Sequence, residues 1–135
     1  MQVRFSVPPR DLDYHSGKEM PWRLQPDISG GGYFYDLAPH QIDILQDLFG
    51  VITRAHGYPA NRAHLYEAED TISACFFFES GIPGSGSWCF VGHESAKEDC
   101  IEIIGDKGSL SFSVFNYEPI RLINSEGKKD IVVPN

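Results

Sequence analysis

Asp36 and His40 stand four residues apart in the segment Tyr33–Gly50, whose apolar positions recur at threes and fours. On a helix that spacing puts both side chains on one face, a turn apart. A carboxylate beside an imidazole can set which ring nitrogen carries the proton, and the other nitrogen can then take a proton from a hydroxyl. Asp36 and His40 are therefore the candidate catalytic pair. Tyr33 precedes Asp36 by three and is expected to border the same site, whereas Asp43 and Asp47 read as solvated continuations of the stripe. Upstream, Trp22 either anchors a loop or lines the site, and Arg23 either contacts a substrate or cofactor oxygen or forms a surface ion pair.

The elements that must position these residues are legible from periodicity and turn chemistry. Ser29 and Gly30-Gly31-Gly32 supply a helix entry, and Gly50 stands where a C-terminal cap belongs. Phe34, Leu37, Ile42, Leu45, Leu48 and Phe49 form the stripe expected to be buried. Pro39 lacks a backbone donor, so the helix is expected either to restart there or to kink. Before it, Gln2–Val7 reads as a strand and Arg10–Ser29 as a long ordered loop. After it come strands at Val51–Tyr58, Thr71–Glu79, Ser85–Gly92, Asp99–Ile104, Ser109–Phe112, Arg121–Asn124 and Asp130–Val133. The last two are expected to pair across Ser125-Glu126-Gly127-Lys128. Successive hairpins predict an α+β fold: a mostly antiparallel, open-faced meander with one main helix packed on one face.

One helix covers one face only. Phe76 and Phe78 alternate with Cys75 and Phe77, and Trp88 and Phe90 add aromatic mass in the next strand. An uncovered apolar face calls for a second subunit, so a homo-oligomer built on the open sheet face is expected.

Taken together, Trp22-Arg23, Pro26-Asp27, Ser29, the glycine triplet, Asp36-x-x-x-His40-x-x-Asp43 and Leu48-Phe49-Gly50 resemble the C-terminal domain of the Gfo/Idh/MocA oxidoreductases. Ile103–Leu110 is similar to that family's Gly-x-x-Gly hairpin. The resemblance implies that Asp36 and His40 lie in a substrate pocket facing a nicotinamide, and that the substrate is a sugar or polyol. It also implies that a lysine from another domain shares or takes the role of base, leaving His40 either to accept the proton or to orient substrate. NAD or NADP in that family is held by an N-terminal Rossmann domain. No Gly-x-Gly-x-x-Gly and no Glu-Lys-Pro occurs here, so residues 1–135 read as an excised substrate-binding and oligomerisation domain, inactive and without cofactor by itself. A non-catalytic binding or assembly module that keeps the same sheet is the alternative.

Composition narrows the classes further. A 135-residue chain with 41% apolar and 22% charged residues fits one globular domain. A net charge of −8 argues against nucleic acid as partner. Neither a membrane-length apolar run nor a signal core is present, so no membrane partner is expected. Cys75, Cys89 and Cys100 form no Cys-x-x-Cys pair and read as buried or free thiols of a reducing, cytoplasmic setting. Asp36, His40 and Asp43, with His15, His56, His64 and His93 elsewhere, match no metal-ligand spacing, so no metal site is expected. Gly84-Ser85-Gly86-Ser87-Trp88 lacks the closing glycine of a hydrolase elbow.

Overall fold

Alternation of small or polar residues with aromatic and branched ones drives the chain into strands, and the computed structural model, which describes residues 1–10 and 19–133, gathers eight of them into a single sheet. They are β1 (Gln2–Ser6), β2 (Ile52–Ala60), β3 (Thr71–Phe78), β4 (Pro83–Cys89), β5 (Glu98–Gly105), β6 (Gly108–Phe112), β7 (Ile120–Asn124) and β8 (Gly127–Ile131). Their order is β2-β3-β4-β1-β5-β6-β7-β8. Every pairing is antiparallel except β1 with β4, which is parallel. The α+β class and the mostly antiparallel open sheet hold. The simple meander does not, because the first strand is inserted at the sheet centre between two runs of hairpins.

Strand ends differ from the sequence expectation for local reasons. β2 continues through Pro59 to Ala60, which an edge strand permits because a missing N–H can face outward. The β7–β8 turn is tighter than expected, with Asn124 opposite Gly127 at φ +121°, a backbone geometry suited to glycine. Residues 11–18 of the expected Arg10–Ser29 loop lie outside the described residues; after them a 3₁₀ turn at Trp22–Leu24 leads into the short helix α1, Pro26–Ser29.

The main helix α2 runs from Tyr33 to Phe49 and is continuous through Pro39. It lies over one sheet face, sealing Leu45 and Ala38 against a core that includes Val3, Phe5, Ile72, Phe76, Phe78, Trp88, Phe90 and Ile101. Phe34 meets Trp88 edge-on at 5.0 Å, and Phe49 meets Phe78 at 5.4 Å. The buried positions differ from the expected stripe: Tyr33 and Ala38 join Leu45 in the buried set, whereas Phe34, Leu37, Ile42 and Phe49 are half-buried. Leu48 is exposed, and Gln41 is wholly buried. Gly84 and Gly86 serve this core: a Cβ on Gly86 would stand 2.0 Å from the Trp88 ring, and one on Gly84 would stand 2.3 Å from Phe76. The Gly-x-Gly of β4 thus makes room for aromatic rings lying across the strand.

Trp88 and Phe90 are buried on the helix side, so they add nothing to the open face. That face carries Arg54, His56 and Tyr58 on β2, Ser73, Cys75 and Phe77 on β3, and Gln2 and Arg4 on β1. Phe77 is 41% exposed and lies under the Arg54 guanidinium at 4.8 Å. Arg4 ties β1 to β5 through Glu98 at 2.9 Å and Glu102 at 3.3 Å. Burial pushes the neighbouring Cys100 thiol up, although Arg4 pulls the other way, which favours the protonated and unreactive form.

Candidate functional site

Gly30 closes α1 with a left-handed φ of +83°, and its N–H donates to Pro26 O at 2.8 Å. Gly31 and Gly32 then pass under the ring of Tyr35 and against Glu69. A Cβ on Gly31 would meet Tyr35 at 2.4 Å, and one on Gly32 would meet the Glu69 carbonyl at 2.6 Å. The Ser29 hydroxyl donates back to Gln25 O at 3.0 Å. These contacts bring the Trp22–Leu24 turn onto the first turns of α2.

Arg23 is the result. Its guanidinium lies over the Trp22 ring at 4.8 Å, and its Nε is 2.8 Å from Asp36 Oδ2. This is a close ion pair without hydrogen-bond alignment, since Nε is buried and has no hydrogen-bond partner among the described residues. The pair is partly exposed, so it orients Asp36 more than it stabilises the fold. Trp22, Arg23, Ser29, Gly32, Tyr35 and Asp36 enclose a cavity of about 70 Å³.

His40 lies one turn further along α2 and is exposed. Because the helix is continuous, Asp36 and His40 share its outer side with Asp43 and Asp47. Among the described residues no hydrogen bond joins Asp36 to His40. The imidazole meets the Phe115 ring edge-to-face instead, with centroids 5.9 Å apart and planes at 89°. Tyr33 stands apart from both: it is 4% exposed and packs against Tyr66 and Phe90 at 6.4 and 5.8 Å, under the Arg10 guanidinium at 4.9 Å. The structure therefore unites Trp22, Arg23 and Asp36, sets His40 beside Phe115, and places Tyr33 in the aromatic core.

Behind His40 runs a buried polar chain that the sequence reading overlooked. Trp88 Nε1–H donates to Gln41 Oε1 at 2.7 Å, and Gln41 Nε2–H donates to Asp99 Oδ1 at 3.2 Å. Asp99 Oδ2 in turn accepts from the backbone N–H groups of Val114, Phe115 and Asn116 at 2.9, 2.6 and 3.3 Å. A glutamine in phase with Ala38 and Leu45 was the available signal, because a polar group in that position must find partners. Asp70, 1% exposed, is a second overlooked carboxylate. It accepts from the N–H groups of Arg62 and Ala63 and from the Thr71 hydroxyl, and so closes the β2–β3 connection.

The glycine triplet does not fit a dinucleotide phosphate. The Gly32 N–H at the start of α2 is already taken by Glu69 Oε1 at 2.8 Å, which places a carboxylate where an anion would have to sit. Among the described residues no three His, Cys, Asp or Glu side chains converge on a metal position; His15 lies outside the described residues. No described helix is long and apolar enough to cross a membrane.

Comparison with known proteins agrees with this architecture. A family model described as the GFO/IDH/MocA C-terminal domain matches residues 1–111. Oxidoreductase P35 of Formosa agariphila is 38% identical over 106 residues, which are 78% of this chain and 32% of that protein. The chain therefore spans about a third of the curated relative it matches. Among solved structures, levoglucosan dehydrogenase in complex with NADH and levoglucosan superposes with a TM-score of 0.79 at 19% identity, over 98% of this chain and 39% of that one. The WlbA dehydrogenase of Chromobacterium violaceum, in complex with NADH and UDP-GlcNAcA, gives a TM-score of 0.66 at 28% identity, over 82% of this chain and 31% of that one. With its helix-covered sheet, its Trp-Arg turn and its Asp-x-x-x-His helix, the chain belongs to the GFO/IDH/MocA oxidoreductase family and corresponds to that family's C-terminal domain.

Proposed function

We propose that this domain is the substrate-binding and assembly part of an NAD(P)-dependent oxidoreductase acting on a sugar or polyol hydroxyl. The observation that carries the reading is the presentation of Asp36 and His40 on the outer side of α2, with Asp36 oriented by Arg23 and Trp22. A nicotinamide cofactor, bound outside the residues described here, supplies the hydride acceptor. The chain's own residues deal with the oxygen. Asp36 accepts a hydrogen bond from a substrate hydroxyl, and the exposed His40 imidazole accepts the proton of the hydroxyl being oxidised. Tyr33 supports the start of α2 from inside the core. The related dehydrogenases solved with NADH and a sugar or a sugar nucleotide support a carbohydrate substrate class.

The test is turnover by the intact protein on a panel of sugars and polyols with NAD⁺ or NADP⁺, read as nicotinamide reduction. At least one carbohydrate is expected to be oxidised. Asp36→Ala is expected to raise KM about tenfold or more by removing a charged hydrogen-bond acceptor worth roughly 1.5–3 kcal/mol. Absence of nicotinamide reduction across the panel, with ligand still bound, would favour a non-catalytic binding module instead.

Assembly through the open sheet face belongs to the same proposal. α2 covers one face only, and Phe77 and Tyr58 are exposed on the other at 41% and 70%. Light scattering is expected to give a mass of at least twice the 15.1 kDa chain. Phe77→Asp should shift it to a monomer, because an unpaired charge would be buried between the sheets. A Phe77→Asp variant that stays dimeric would place the contact elsewhere.

A further inference from the structure

We propose that Phe115, held in place by Asp99, is the positioning residue of His40. The inference rests on the reading of His40 given above and deepens it. His40 is exposed on α2, so packing within its own helix leaves the imidazole free to take several rotamers. The one described aromatic contact to the ring comes from the β6–β7 turn, through Phe115 at 5.9 Å and 89°. Phe115 is itself pinned: its ring meets Phe5 at 5.5 Å, and its N–H is the shortest of the three donated to Asp99 Oδ2. The Ser113 hydroxyl donates to the Asn116 carbonyl and closes the turn. Asp99 is anchored from below by Gln41, the residue next to His40 in sequence, and Gln41 is anchored by Trp88.

The helix that carries His40 and the turn that flanks it are therefore fastened to one buried carboxylate. Asp99 and Gln41 fix the distance between α2 and the turn. Phe115 blocks one side of the imidazole and leaves the other for substrate. A structural staple alone would need the turn to be tied down, but it would not need an aromatic ring set against an exposed histidine.

A double-mutant cycle in the intact enzyme separates the two roles. Phe115→Leu is expected to lower kcat about tenfold with little change in KM, since small misplacement of a reacting group has effects of that order or larger. In a His40→Ala background the same substitution should cost nothing further. Asp99→Asn should reproduce the Phe115→Leu loss and be non-additive with it. In parallel, the His40 ring signals of the ¹³C-histidine-labelled protein should move in both Phe115→Leu and Asp99→Asn. Equal losses in the wild-type and His40→Ala backgrounds would overturn the proposal. So would His40 signals left in place by Asp99→Asn. If His40→Ala leaves turnover unchanged, the catalytic reading of His40 falls, and the ring signals alone then decide whether Phe115 and Asp99 position it.

Discussion

Replacing His40 with alanine is expected to lower kcat of the intact protein by about 10²–10⁴-fold, the range contributed by a positioned general base or acid. KM should change by less than tenfold, because the imidazole matters most where the proton is in flight. The distinction left open between accepting the proton and orienting the substrate becomes measurable here. Exogenous imidazole should restore part of the lost rate if His40 accepts the proton, since a small base can diffuse to the exposed face on which it stands. If His40 only orients substrate, imidazole restores nothing and KM rises more than kcat falls. A loss of less than threefold in both parameters would remove His40 from the mechanism.

The second large effect is on stability. Gln41→Leu keeps the volume of a wholly buried side chain but leaves Trp88 Nε1–H without its acceptor and Asp99 Oδ1 without its donor. Each buried orphan costs about 1–3 kcal/mol, and the added apolar contact of leucine offsets part of it. A net loss of about 2–4 kcal/mol is expected from urea unfolding at unchanged m-value. Leu48→Ala on the exposed side of the same helix should cost less than about 1 kcal/mol. If Gln41→Leu proves as mild as Leu48→Ala, the Trp88–Gln41–Asp99 chain does not hold the fold together.

These two residues show what a sequence discloses and what it conceals. His40 is singled out by residue type and by its spacing from Asp36, and α2, which carries both, forms where periodicity places it. Pro39 does not end the helix, because one lost backbone bond is outweighed by the packing of Phe34, Ala38 and Leu45 on the sheet. Gln41 hides because a polar residue in an apolar stripe is ordinarily discounted, and its partners Trp88 and Asp99 are distant in the chain. Long-range register is concealed for the same reason. Nothing local in Gln2–Ser6 says that the strand will sit between β4 and β5, or that its neighbour Trp88 will face the helix rather than the open side. The Arg23–Asp36 pair was within reach as a motif, but its misaligned geometry depends on how the 3₁₀ turn lands on α2.

The central seat of β1 has a consequence for how the chain folds. Arg4 and its partner Glu98 are 94 residues apart, and β1 must wait for both β4 and β5 before its two edges can be satisfied. At synthesis rates of about 5–20 residues per second, that leaves the strand with at least one edge unpaired for roughly 5–20 s. The β2–β3–β4 hairpins can assemble in the meantime, but α2 has only part of its sheet to lie on until β1 docks. Closure of the sheet is thus a late, high-contact-order event, and its apolar strand Val3–Phe5 is the segment with the longest exposure to chaperones or to premature pairing with another nascent chain.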